Sequence, residues 1–152
     1  MDYADTNFLV AVFFENATRT PVVERHLRRL KGPLMVGELA EFECKNVFSR
    51  LERRPNGEAW RGLKARLDRG EWRRQPIEWP GLVARAVELV DRFASRLSIG
   101  SFDTLHIAAA MEAGCARFLS FDTASNARVL AASARLDVWP ELSAAEKGRV
   151  AR

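Results

Sequence analysis

What most constrains this chain is an alternation: short β-like runs are separated by longer helical stretches along its length, the pattern of a parallel sheet covered by helices. The strand candidates are Tyr3-Ala4-Asp5, Leu34-Met35-Val36, Ile77-Glu78-Trp79, Arg117 to Phe121, and Leu136 to Trp139. Phe8 to Phe14 is the longest uninterrupted apolar run. It reads equally as buried strand or buried helix, because a run that short carries no decisive period. It is also far below the roughly 20 residues that cross a bilayer, and no basic-then-apolar leader opens the sequence, so the expectation is a cytoplasmic protein with no membrane partner.

The helices are clearer. Leu82, Val83, Ala86, Val87, Leu89, Val90, Phe93 and Leu97 recur at helical spacing behind Pro80, a residue suited to a first turn. Asp103 to Ala113 is almost wholly apolar and stops at Gly114, as a helix enclosed by a domain does. Pro55-Asn56-Gly57 breaks two helices apart. With 152 residues there is room for one ordinary domain, placed at residues 1–140, and residues 141–152 read as a polar tail prone to fraying. Two cysteines, Cys44 and Cys115, exclude a disulfide framework and a four-cysteine zinc site, and both sit among apolar helical residues.

The net charge of +4 is unevenly spread. Arg50 to Arg74 holds nine basic residues against four acids, with Trp60 and Trp72 among them, so the rest of the chain is close to neutral. Such a local field suits a polyanion. It equally describes a solvated helical face.

Acids stand where an ordinary core would not place them. Asp5 follows the first strand candidate and Asp122 follows Phe118 to Phe121 directly, both at carboxyl ends of parallel strands, where open α/β sheets build their sites. Asp103 opens the apolar helix. Each of the three is also an ordinary helix-capping residue. Glu43 is sharper: at about 100° per residue from Leu39, it falls at roughly 40°, beside Val47 at roughly 80° and Ala40 at roughly 100°. Glu41, Lys45 and Glu38 fall on the opposite side, expected to be solvated, while Asn46 and Arg50 flank Glu43. Four carboxylates from four chain regions meeting at one sheet edge would repel one another unless a divalent cation joined them. All-oxygen ligands favour Mg²⁺ or Mn²⁺ over zinc, and such a cluster suits phosphodiester hydrolysis.

With these residues assembled, the sequence resembles the PIN-domain family and, within it, the VapC-like toxins of toxin–antitoxin pairs. The matching stretches are Tyr3-Ala4-Asp5-Thr6-Asn7, Glu43-Cys44-Lys45-Asn46, Asp103 to Ala110, and Phe118 to Asp122, in the family's order. The resemblance implies an α/β fold, a three-layer α/β/α sandwich around a central, mainly parallel sheet of four to five strands. It implies an endoribonuclease cutting RNA, commonly tRNA or rRNA, with Mg²⁺ or Mn²⁺ held by Asp5, Glu43, Asp103 and Asp122. It assigns supporting roles to Thr6, which would hold Asp5 and its surroundings, to Asn46 beside Glu43, and to Ser120. It further implies a homodimer silenced by a VapB-like antitoxin. Ser101 and Phe102 stand where several relatives carry a basic residue. Arg50, Arg53, Arg54 and Lys64 are the candidates for contacting RNA, and Asn126 is a further candidate helper at the site.

Rival readings remain. A metal-independent ribonuclease would rely on His26 and His106; His26 reads as part of a solvated helix and His106 as a hydrogen-bonded core residue. A phosphoaspartate protein would want an acid where Asn7 stands. A binding-only PIN domain would grip RNA without cutting it.

Overall fold

The computed structural model describes residues 1–151. Five strands form one sheet: β1 (Asp2–Ala4), β2 (Leu34–Gly37), β3 (Trp72–Gln75), β4 (Arg117–Leu119) and β5 (Asp137–Trp139). Their spatial order is β3-β2-β1-β4-β5, and every neighbouring pair is parallel. Eight helices accompany them: α1 (Thr6–Phe13), α2 (Thr20–Arg28), α3 (Glu38–Glu52), α4 (Glu58–Asp68), α5 (Trp79–Phe93), α6 (Ser101–Glu112), α7 (Ala127–Ser133) and α8 (Ala144–Arg149).

Strand alternation sorts the core into two layers. Tyr3, Met35 and Phe118 face one side and pack with Leu82, Leu89 and Phe93 of α5, Ile107 to Ala110 of α6, and Val129 to Ala131 of α7. Ala4, Leu34, Val36 and Leu119 face the other and meet Phe8 and Leu9 of α1, Cys44 and Phe48 of α3, and Leu63 of α4. The result is the three-layer α/β/α sandwich. The ambiguous Phe8 to Phe14 run is helical. A parallel sheet needs a crossover after β1, and Asp5 starts that helix by accepting the Phe8 backbone N–H at 2.8 Å.

Three expectations change. The third strand lies at Trp72–Gln75, and Trp79 begins α5. As an edge strand β3 exposes one flank, so Arg73 and Arg74 displace the apolar signature that made Ile77-Glu78-Trp79 attractive. His26 is not solvated: its Nε2 lies 3.1 Å from Asp2 Oδ2, and its ring stacks on Trp139 at 4.1 Å. Residues 144–149 form α8 under a capping box made by Ser143 and Glu146. Glu146 is buried against Arg128.

Candidate active site

In the order β3-β2-β1-β4-β5, successive strands run outward from β1 in opposite directions, so the crevice between the carboxyl ends of β1 and β4 is the topological switch point. The Asp5 N–H donates to the Leu119 carbonyl at 3.1 Å, tying those two ends together. Asp5 is 6% exposed. Burial pushes its carboxyl up to about 6; bonds from the Ser120 hydroxyl and the Phe8 N–H pull the other way, and the nearby Asp122 charge pushes it further up. Ser120 is fully buried, and its Oγ also accepts the Asp122 N–H at 3.1 Å.

Asp122 caps the turn that follows β4, accepting the N–H groups of Ala124 at 2.9 Å and Ser125 at 3.1 Å. Asp103 lies in the first turn of α6. Burial raises its pKa above the usual carboxylate range, a bond from Ser125 opposes this, and the charges of Asp122 and Glu43 add to the rise. Glu43, on α3, accepts from the Thr6 hydroxyl and from His106 Nε2 at 2.6 Å, both through Oε2. Burial disfavours its charge, but the bonds from His106 and Thr6 outweigh that and hold it below the usual range.

The four acids thus stand within electrostatic reach of one another, and Asp5, Glu43 and Asp122 each serve local structure through one carboxylate oxygen. Among the described residues, no Lys or Arg nitrogen lies within 4 Å of any of them; His106 is the one basic group on the cluster. Three other acids with little exposure are treated differently. Asp2 meets His26 and Arg117, Glu41 meets Lys64 and Arg74, and Glu146 meets Arg128. Acceptor-only oxygens that the fold leaves without a cation suit a hard divalent ion. Among the described residues no three Asp, Glu, His or Cys side chains already close around a common ligand position.

The remaining candidates divide. Thr6 holds Glu43 rather than Asp5. Asn46 is exposed and makes no hydrogen bond to Glu43 among the described residues. Arg50, Arg53 and Arg54 are exposed at the end of α3, and the nearest acid to any of them is Glu52, 3.9 Å from Arg54. Lys64 instead pairs with Glu41 at 2.9 Å. Asn126 bridges Ser98 and Arg149 and makes no hydrogen bond to the four acids among the described residues. His106 is the hydrogen-bonded buried histidine its spacing predicts, but its Nε2 contact with Glu43 joins α3 to α6 across the sheet end, a long-range fact that spacing does not carry.

No curated protein sequence matches the chain significantly. Solved structures do match in fold. VapC20 of Mycobacterium tuberculosis, described as a sarcin–ricin loop cleaving toxin, superposes with a TM-score of 0.66 at 18% identity, covering 82% of this chain and 92% of that one. FitAcB from Neisseria gonorrhoeae gives 0.63 at 16% identity, covering 91% and 96%. VapBC2 from Rickettsia felis, solved with a promoter DNA fragment, gives 0.61 at 14% identity, covering 91% and 97%. The family model of the PIN domain matches residues 3–131, the span from Tyr3 in β1 through β4 that includes all four acids, and the chain belongs to that family.

Proposed function

We propose that the chain is an endoribonuclease that depends on Mg²⁺ or Mn²⁺ and acts as the toxin of a toxin–antitoxin pair. One observation carries the reading: four carboxylates from four chain segments share the switch-point crevice with no Lys or Arg beside them, while Asp2, Glu41 and Glu146 each meet a basic side chain of the fold. Asp5, Glu43, Asp103 and Asp122 would hold the ion, with Ser120 fixing Asp5, and Thr6 and His106 fixing Glu43. When bound, a divalent ion acidifies its water and neutralises charge developing on the phosphate. The residues of the chain itself would orient the acids, and the bonds from His106 and Thr6 would hold Glu43 ionised for the ion.

Arg50, Arg53 and Arg54 would meet the RNA backbone on the exposed end of α3. Lys64 is the weakest of that group, being engaged by Glu41. The fold likeness to VapBC2 and FitAcB supports an antitoxin as partner. A homodimer belongs to the same reading on family grounds, and sedimentation of the purified chain tests it.

The test is cleavage of total bacterial RNA by wild type and Asp5→Asn, each with Mg²⁺, Mn²⁺ or EDTA. Asparagine keeps the cap on α1 and removes the charge. Cleavage that needs both metal and Asp5 is the expected result. Cleavage surviving EDTA sinks the metal reading, and RNA binding without cleavage in any condition favours a binding-only domain.

A further inference from the structure

Glu43 is fastened by more than the crevice needs. Its Oε2 takes both the Thr6 hydroxyl and His106 Nε2, and no donor among the described residues reaches Oε1. Behind His106 stands Tyr3, whose hydroxyl lies 3.2 Å from Nδ1. Tyr3 is fully buried and His106 is 4% exposed, so the contact between them is closed to bulk water, and the contact with Glu43 is part-buried.

The proton positions follow from the partners. An ionised carboxylate only accepts, so Nε2 carries the hydrogen. In neutral imidazole Nδ1 then accepts, and the Tyr3 O–H donates to it. The Tyr3 ring is itself fixed, stacked on Phe118 of β4 at 6.0 Å and 10° between planes. The backbone supports the same arrangement: a Cβ at Gly37, at the end of β2, would overlap the Tyr3 hydroxyl. Glycine at that position therefore lets the hydroxyl reach His106, although its own backbone conformation is one that any residue adopts.

We propose that Tyr3 and His106 are positioning residues that make Glu43 a one-oxygen ligand: Oε2 is committed to His106 and Thr6, and Oε1 is left for the cation. This rests on the nuclease reading above. Carboxylates that bind metals through one oxygen commonly have the other held by a hydrogen-bonded neighbour, and loss of such a neighbour costs roughly 10–100-fold in metal affinity.

The experiment has two arms on the full chain. Nitrogen-15 NMR of the metal-free protein reads the His106 tautomer, expected as Nε2–H with Nδ1 unprotonated. Mn²⁺ binding, followed by the resonance of free Mn²⁺, compares wild type with His106→Leu, His106→Gln, Tyr3→Phe and Gly37→Ala, with thermal midpoints recorded for each. His106→Leu is expected to weaken Mn²⁺ by about 10–100-fold. His106→Gln, which returns an N–H donor, should recover most of that loss, and Tyr3→Phe and Gly37→Ala should each weaken binding by less than His106→Leu. Variants that lower the thermal midpoint yet bind Mn²⁺ as wild type does overturn the proposal, as does an Nδ1–H tautomer. Wild type that binds no Mn²⁺ overturns the nuclease reading itself, whereas tight wild-type binding matched by His106→Leu overturns the relay alone.

Discussion

The two ends of β1 place a histidine against a carboxylate in opposite electrostatic settings. At the amino end, Asp2 meets His26 at 3.1 Å and Arg117 at 3.4 Å, and His26 is covered by Trp139. One acid there has two basic partners. At the carboxyl end, His106 meets Glu43 at 2.6 Å while Asp5, Asp103 and Asp122 crowd the same crevice. Four acids there share one imidazole. The first end is balanced by the chain; the second, on the proposed reading, is completed by a cation from solution. A buried carboxylate is a structural device or a binding device according to whether its counter-charge is built in.

The largest expected effect breaks that contrast from the carboxyl end. Asp5→Asn should cut metal-dependent cleavage on the order of 10³-fold, equivalent to about 4 kcal/mol of transition-state stabilisation. Its metal-free thermal midpoint should stay level or rise, because one repelling charge is gone. Next comes the balanced arrangement in its most buried form. Arg128 and Glu146 are 4% and 6% exposed, and Arg128→Met should destabilise the fold by about 3–5 kcal/mol by leaving Glu146 alone. The Arg128→Met/Glu146→Leu pair should regain most of that in urea unfolding. At the amino end, Asp2→Asn should lose about 1–3 kcal/mol of stability and leave cleavage intact.

Acid separates the two kinds of carboxylate more gently. Burial opposes the Glu146 charge, but the bonds from Arg128 and Ser143 prevail and bring its pKa down to about 2. A carboxylate with a lowered folded pKa contributes stability that is present above its unfolded value, near 4.5, and fades as pH falls towards 2. Urea midpoints of wild type minus Glu146→Gln should therefore shrink across that window. The smallest effect sits on the surface: Arg50→Ala and Arg53→Ala should each reduce the slope of log affinity for single-stranded RNA against log salt by about 0.7. Unchanged slopes would move the RNA track elsewhere.

Much of this was legible in the chain. Acids after strand candidates pointed to the carboxyl ends of parallel strands, because position at a strand end is a local property, while the switch point itself needs the strand order. Glu43 was separable from its neighbours because helical phase places it beside Val47 and Ala40. The same phase argument failed for Glu41. It faces away from Glu43 as expected, yet is 14% exposed, because α4 and β3 bring Lys64 and Arg74 onto it. Glu41→Gln should therefore cost stability and spare cleavage. Helical phase tells which side of a helix a residue occupies, but not what else packs there. The misplaced third strand and the ordered tail fail for the same reason. Arg73 and Arg74 look unlike sheet residues until Glu41 answers one of them, and Glu146 looks like tail until Arg128 is seen beneath it.

The register of β1 has a kinetic consequence. Asp2 pairs with Leu34 on one side and with Arg117 on the other, so one flank closes over a short loop and the other over most of the chain. Loop-closure entropy and contact order make the second pairing the slower one. Asp5 and Glu43 belong to the segment that can assemble early, and Asp103 and Asp122 to the one that must dock onto it. On the proposed reading, a partly folded chain holds half the acid cluster and should not cut. Return of cleavage during refolding would report the joining of β4 to β1, and it should lag behind the helical signal.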